Sequence, residues 1–470
     1  MEQTTLRVLK RTPKKQEENW SKKGYLENMI QCLESDLNFQ ENGSDFHPAH
    51  KIHSFPAKFP PQLPRKFITN LTRPGEIVLD PMMGSGTCLL EAFFLGRQAI
   101  GIDIDPLAIL LSTVKKQIYE TSTLYAVAKN IISEATNAIS KSPHTVFTNR
   151  ENYFDADSCD FLDYWFSKEV QIELLALLIQ INKITDSKLN NFFKLIFSSV
   201  IITKTGGVSL AIDLAHTRPH RARTVFAQDG QVILGEDNGS QNKKYLTKKL
   251  RSPIEEFRKK AETNIKSLLT TYPSNALPII SFGNSKTLPI ASNSIDLIVT
   301  SPPYASNAID YMRAHKFSLI WFGYSVNELA KKRKAYIGSE GIYTGDSVEL
   351  PPNVEAVISR VRKTSTSKAN SLHRYYSEMS LSIKEMYRVL KPGKASIVVV
   401  GNSILSGEDA RIEECLAAIG NNLGFEIPKI GIRQLDRNRR MLPIGTNHDI
   451  SSQIQQRMQE EYIIGFYKPY

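Results

Sequence analysis

The sequence predicts an α/β fold built on a mostly parallel sheet, and three stretches predict it. Glu76-Ile77-Val78-Leu79 is a short apolar run that enters the turn Asp80-Pro81-Met82-Met83-Gly84-Ser85-Gly86-Thr87, after which residues 88–95 continue as an apolar helix. Gln98-Ala99-Ile100-Gly101-Ile102 is a second run and ends on Asp103. Residues 294–299 form a third, ending on Thr300-Ser301-Pro302-Pro303-Tyr304. Short apolar runs bounded by turn residues read as buried strands. Each delivers its turn to the carboxyl edge of the sheet, where open α/β sheets bind ligands.

The first turn is glycine-rich because a ligand must lie against bare backbone amides, and Gly84 and Gly86 permit both the sharp turn and the close approach. It lacks the G-x-G-x-x-G spacing of a dinucleotide site and the lysine of a phosphate-binding loop, so the ligand is read as a nucleoside without a polyphosphate. Asp103, at the end of the second strand, is placed to accept hydrogen bonds from both ribose hydroxyls. Taken alone, the loop is also compatible with an ordinary tight turn, and the acidic strand end argues against that.

The third turn suits chemistry on an exocyclic base amine. Such a nitrogen is a poor nucleophile because its lone pair is delocalised into the ring. Acceptors offered to both of its hydrogens restore nucleophilicity, and the Ser301 hydroxyl and the Pro302 carbonyl are the candidates. Pro302 and Pro303 stiffen the turn and remove competing donors, while Tyr304 is the candidate to stack on the target ring. An amine inside a duplex must first be flipped out.

With these residues the chain resembles the amino-methyltransferases that modify cytosine N4 or adenine N6 in DNA, over about two thirds of its length. His53-Ser54-Phe55-Pro56-Ala57-Lys58-Phe59-Pro60-Pro61 is similar to the family's cofactor-covering segment and precedes the glycine loop. Asn284, the Ser301–Tyr304 turn, Leu390-Lys391-Pro392-Gly393-Lys394 and Tyr462-Ile463-Ile464-Gly465-Phe466 follow in family order. The resemblance implies a Rossmann-like class I fold with a seven-stranded sheet and an antiparallel C-terminal hairpin, using S-adenosyl-L-methionine (SAM). It implies that Phe55, Pro56 and Phe59 cover the cofactor, and that Pro81, Met82, Gly84, Gly86 and Thr87 cradle it. Asp80 would hold its methionine amino group, Asp103 its ribose, and Asn284 its adenine, where the family usually has an acid. Ser301 in place of Asp favours cytosine N4, with adenine N6 as the alternative. The glycine loop precedes the catalytic turn, the reverse of many cytosine-N4 members, which bears on subclass and not on reaction.

Charge and composition agree with a DNA partner. Net charge is +11 and the pI near 9.2, which permits binding to a polyanion. Residues 204–266 hold 13 basic and 7 acidic side chains. Arg218, Arg221 and Arg223 are candidates for DNA contact there, whereas the basic run from Lys243 to Lys260 reads equally well as a solvated helix. Lys332 and Arg333 form a second candidate region. Arg437, Arg439 and Arg440 are a third, similar to a family loop beside the flipped base. The cysteines, Cys32, Cys88, Cys159 and Cys415, do not follow a proline as a ring-carbon methyltransferase would require, and no pair has zinc-site spacing. Few cysteines and no membrane-length apolar run suit a reducing cytoplasm, and the resemblance implies that of a bacterium or archaeon.

The expected organisation is a basic N-terminal extension (1–45), a SAM-binding half (46–118), an inserted target-recognition region (119–273), a catalytic half (274–325), a basic mobile loop (326–374) and the C-terminal part of the sheet (375–470). Double-stranded DNA is the expected partner, with a cognate restriction endonuclease or defence complex implied by resemblance. An RNA guanosine-N2 methyltransferase would usually carry Asp at 301 and far less intervening chain. A protein-glutamine methyltransferase would usually carry Asn there. A non-catalytic DNA-binding module would not need the intact turn.

Overall fold

A computed structural model describes residues 24–39, 46–56, 58, 60–203, 205–212, 214, 219–227, 229–235, 247–269, 276–305, 311–339, 348–435 and 460–470. Helices α1 (Tyr25–Glu34) and α2 (Gln62–Leu71) lead into β1 (Ile77–Asp80), α3 (Thr87–Phe94), β2 (Gln98–Asp103) and α4 (Pro106–Lys115). The insertion then contributes α5 (Thr121–Lys141), α6 (Pro143–Thr148), α7 (Ala156–Trp165), α8 (Lys168–Asn182) and α9 (Ser187–Ile201). It continues with a small sheet, β3 (Thr224–Phe226), β4 (Val232–Leu234) and β5 (Thr247–Lys249), and ends with α10 (Pro253–Ile265). The main sheet resumes with β6 (Ile279–Phe282) and β7 (Ile295–Thr300), followed by α11 (Tyr311–Leu319), α12 (Val326–Lys334), α13 (Pro352–Thr364) and α14 (Thr366–Val389). Last come β8 (Leu390–Gly401), a minimal hairpin of β9 (Ile404–Leu405) and β10 (Glu408–Asp409), α15 (Ile412–Asn422), β11 (Ile430–Gln434) and β12 (Glu460–Lys468).

The seven-stranded sheet has the order β11-β12-β8-β7-β1-β2-β6. Its strands run parallel except β12, which is antiparallel to both β8 and β11. The predicted α/β sheet with an antiparallel C-terminal pair is therefore the observed one. Because successive strand residues face opposite sides, Leu79, Ile298 and Val398 enter one core with α13, α14 and α15, while Val78, Leu297, Val299 and Ile397 enter the other with α1, α2 and α3. The central strand β7 is buried along its whole length. Its one charge is satisfied on both sides: Asp296 Oδ2 accepts from the Ile77 amide at 3.0 Å and Oδ1 from Lys391 Nζ at 2.7 Å.

Three expectations need correction. Residues 25–37, placed in the N-terminal extension, belong to the catalytic core: Met29, Cys32, Leu33 and Leu37 are buried in a cluster shared with β8 and β12. The 326–374 segment is not a mobile loop. Val354, Val357, Ile358 and Val361 give α13 a buried stripe, and Ser365 caps α14 by accepting from the Lys368 amide. The polar residues between the two helices serve as cap chemistry. In the basic run, Thr247–Lys249 is a strand, and the helix starts only at Pro253 behind the Ser252 cap.

The insertion is a helical layer and not an appended lobe. Leu107 and Leu111 of α4, the helices α8 and α9, and Phe317 and Trp321 after the catalytic turn share one core. Phe317 meets Trp165 at 4.9 Å and Phe161 at 5.2 Å between ring centroids.

Candidate active site

β1 and β2 are neighbours, so the glycine loop closes directly onto the end of β2. Met83 N–H donates to the Ile102 carbonyl at 3.1 Å, and Gly84 N–H donates to Asp103 Oδ2 at 2.7 Å. Gly84 and Gly86 have φ of 47° and 70°, which side chains rarely adopt. A Cβ at Gly86 would stand 2.5 Å from Ser112 Oγ of α4. Behind the loop, Lys115 is 3% exposed and donates to the Ser85 carbonyl at 2.6 Å. Burial pushes its ammonium well below the usual lysine range.

Two carboxylates meet this loop. Asp103 accepts from Gly84 through one oxygen and from the Asp105 amide through the other at 2.8 Å. A carboxylate has about four acceptor positions, so two remain for ligand hydroxyls. Burial, followed by the Asp105 charge, raises its carboxyl to about 7. Asp80 is more deeply enclosed, at 1% exposed, and its Oδ1 accepts from the Thr300 hydroxyl at 2.7 Å and the Met82 amide at 3.2 Å. Burial likewise raises it to about 7 against those two bonds. Asp80 thus ties the glycine loop to the last residue of β7, which carries the catalytic turn.

The two loops wall a common cleft of about 820 Å³, its open mouth included. Phe55, Gly84, Asp103, Asn284, Ser301 and Pro303 line it, with Pro81, Met82 and Thr87. Asp80, Gly86, Pro56 and Pro302 are not among the lining residues; Asp80 is bonded to Thr300 and Met82, and Gly86 packs against Ser112. Phe59 lies outside the described residues. The sequence reading missed Lys58, Asp105, Tyr311 and Tyr336, which also line the cleft. It missed His315 as well: its Nδ1 sits 2.5 Å from Asp105 Oδ2, joining α11 to the turn after β2. Burial would raise Asp105, and His315 holds it below the usual range.

Tyr304 does not itself line this cofactor cleft. Its hydroxyl donates to Glu461 Oε1 at 2.9 Å, and its ring packs on Gly401, where a Cβ would come within 2.8 Å of the ring. Ser301 hydrogen-bonds to the same hydroxyl; burial, then the Glu461 charge, push Tyr304 well above the usual tyrosine range.

A profile of the N6/N4 methyltransferase family, described as DNA methylase, matches residues 2–113, which include the glycine loop and Asp103. Over 378 residues the chain is 26% identical to the Type II methyltransferase M.MvaI of Kocuria varians, covering 75% of this chain and 76% of that one. It is 24% identical over 434 residues to the Type II methyltransferase M.AvaI of Nostoc sp., covering 87% and 86%. The chain is thus similar to the N6/N4 DNA methylase family in its first quarter and to Type II methyltransferases over most of its length. Its cofactor is S-adenosyl-L-methionine, which the site fits on two counts: the backbone left bare at Gly84 and the two open acceptor positions of Asp103. Among solved structures it is similar to a SAM-dependent methyltransferase from Methanosarcina mazei at 11% identity and a TM-score of 0.29, covering 86% of this chain and 98% of that one.

The chain carries its candidate DNA contacts unevenly. Arg223 is exposed. Arg221 is committed to the protein: its Nε donates to the Tyr164 carbonyl at 2.7 Å and its guanidinium lies 4.6 Å from the Tyr164 ring centroid. Lys332 Nζ of α12 lies 5.1 Å from the Phe282 ring centroid, and Arg333 is half-buried on the same helix. That helix runs into Ala335, Tyr336 and Ile337 at the cleft wall. Arg218, Arg437, Arg439 and Arg440 lie outside the described residues. No helix among the described residues is long and apolar enough to cross a membrane.

Proposed function

We propose that this chain transfers a methyl group to the N4 amine of a flipped-out cytosine in double-stranded DNA, as the modification enzyme of a restriction-modification pair. The observation that carries the reading is the serine-led turn after β7: Ser301 and Pro303 wall the same cleft as Gly84 and Asp103. The description of the relatives as Type II methyltransferases supports the restriction-modification setting. When bound, SAM supplies a methyl group carried on a positively charged sulfur.

The chain's own residues then supply orientation. Ser301 and the Pro302 carbonyl accept the two amine hydrogens, so the nitrogen lone pair is released from the ring as charge develops on nitrogen. Phe55 and Asp103 hold the cofactor on the opposite wall, making the reaction effectively unimolecular. The methylated nitrogen finally yields one proton to solvent, and no covalent enzyme intermediate forms. Tyr304 stacks on the flipped base. Tyr304→Ala should therefore lower single-turnover transfer by roughly 5- to 150-fold, given roughly 1–3 kcal/mol per stacked base, while leaving SAM affinity nearly unchanged. Full transfer by that variant would remove Tyr304 from the reaction.

A further inference from the structure

The carboxyl edge of the sheet holds a buried ion pair that the reaction above does not use. Arg433 of β11 and Glu461 of β12 are 5% and 7% exposed, and Arg433 Nη1 donates to Glu461 Oε2 at 2.6 Å. In sheet register Arg433 lies opposite Glu461, and Glu461 lies opposite Gly401 of β8. These three positions form one row across three strands, and the Tyr304 ring lies over the glycine end of that row. The other oxygen of Glu461 takes the Tyr304 hydroxyl at 2.9 Å.

A buried ion pair adds little net stability, because desolvation of two charges offsets their attraction, and an apolar pair of similar size often does as well. Stability alone therefore does not account for charges at this point in the sheet, and the group they touch does. We infer that Arg433 and Glu461 are positioning residues for Tyr304: the guanidinium orients the carboxylate, and the carboxylate holds the tyrosine by its hydroxyl with the ring pressed to Gly401. This rests on the reading of Tyr304 as part of the reaction. The hydrogen-bond directions then extend to the cleft. Tyr304 donates to Glu461, so its oxygen is left to accept from Ser301. With its proton so directed, Ser301 keeps its lone pairs for the amine, the polarity the chemistry needs.

A double-mutant cycle on the full chain tests the inference, with single-turnover transfer to DNA and SAM affinity both measured. Tyr304→Phe and Glu461→Leu should each slow transfer by roughly 10- to 100-fold, the scale of a lost hydrogen bond to a charged group. The combined variant should be no slower than either alone, because both changes break one contact. Glu461→Gln keeps an acceptor and should restore most of the rate. SAM affinity should hold throughout, since none of Tyr304, Glu461 and Arg433 lines the cofactor cleft. Glu461→Leu strands a buried guanidinium; if it does not fold, Arg433→Met with Glu461→Leu replaces it in the cycle. Full-rate transfer by Tyr304→Phe, or multiplicative losses in the combined variant, would overturn the inference. Full-rate transfer by Tyr304→Ala would instead overturn the role of Tyr304 itself.

Discussion

Asp103 meets several demands at one carboxyl group. Burial and the neighbouring Asp105 raise it to about 7, while the Gly84 and Asp105 amides and a ligand's hydroxyls all favour its ionised form. SAM affinity should therefore be flat above about pH 7 and fall below it as the free protein's carboxyl protonates, by up to about tenfold per pH unit. Asp103→Asn should bind about tenfold more weakly above pH 7 and lose that dependence, which calorimetric titration across the range would read. An unchanged slope in the variant would assign the proton to another group, with Asp80 the neighbour raised to the same value. At this scale the sequence was informative where a residue closes a strand. Asp103 and Ser301 announce themselves by ending apolar runs. His315 and Asp105, and likewise Arg433 and Glu461, meet only through the fold, so no local spacing signals either pair.

The elements that build the cleft were the most legible, because short parallel strands buried on both faces must be apolar throughout and their turns carry the chemistry. The glycine loop is the element whose conformation is most constrained. Gly86→Ala would force a side chain into a left-handed backbone and against Ser112. It should cost about 1–3 kcal/mol of stability and weaken SAM binding as the loop shifts. Melting curves with and without SAM measure both, and an unchanged ligand-induced rise in Tm would mean that the loop does not depend on this turn. Helices α12 to α14 were harder to read. Their exposed faces are dense in lysine and arginine, and in α13 only Val354, Val357, Ile358 and Val361 form the buried stripe, so charge obscured periodicity. Sequence also left Tyr304 free to line the cofactor cleft. Gly401, far along the chain, is what its ring packs on.

For the whole molecule, the shared core makes the insertion part of one folding unit. Phe317 is fully buried between the helix after the catalytic turn and the aromatic residues of α7. Phe317→Ala should cost about 3–5 kcal/mol, with far-UV and near-UV signals still falling in a single transition. Two separate transitions would show that the helical layer is an independent domain. The net charge of +11 should make DNA affinity fall linearly in log–log form as salt rises, and a flat dependence would argue against phosphate contacts. The chemistry itself is tested most directly by incubating the full chain with SAM and unmodified duplex DNA, digesting to nucleosides and analysing them by mass spectrometry. N4-methylcytosine is the expected product. N6-methyladenine in its place would contradict the cytosine assignment, and no methylated nucleoside at all would contradict the proposed activity.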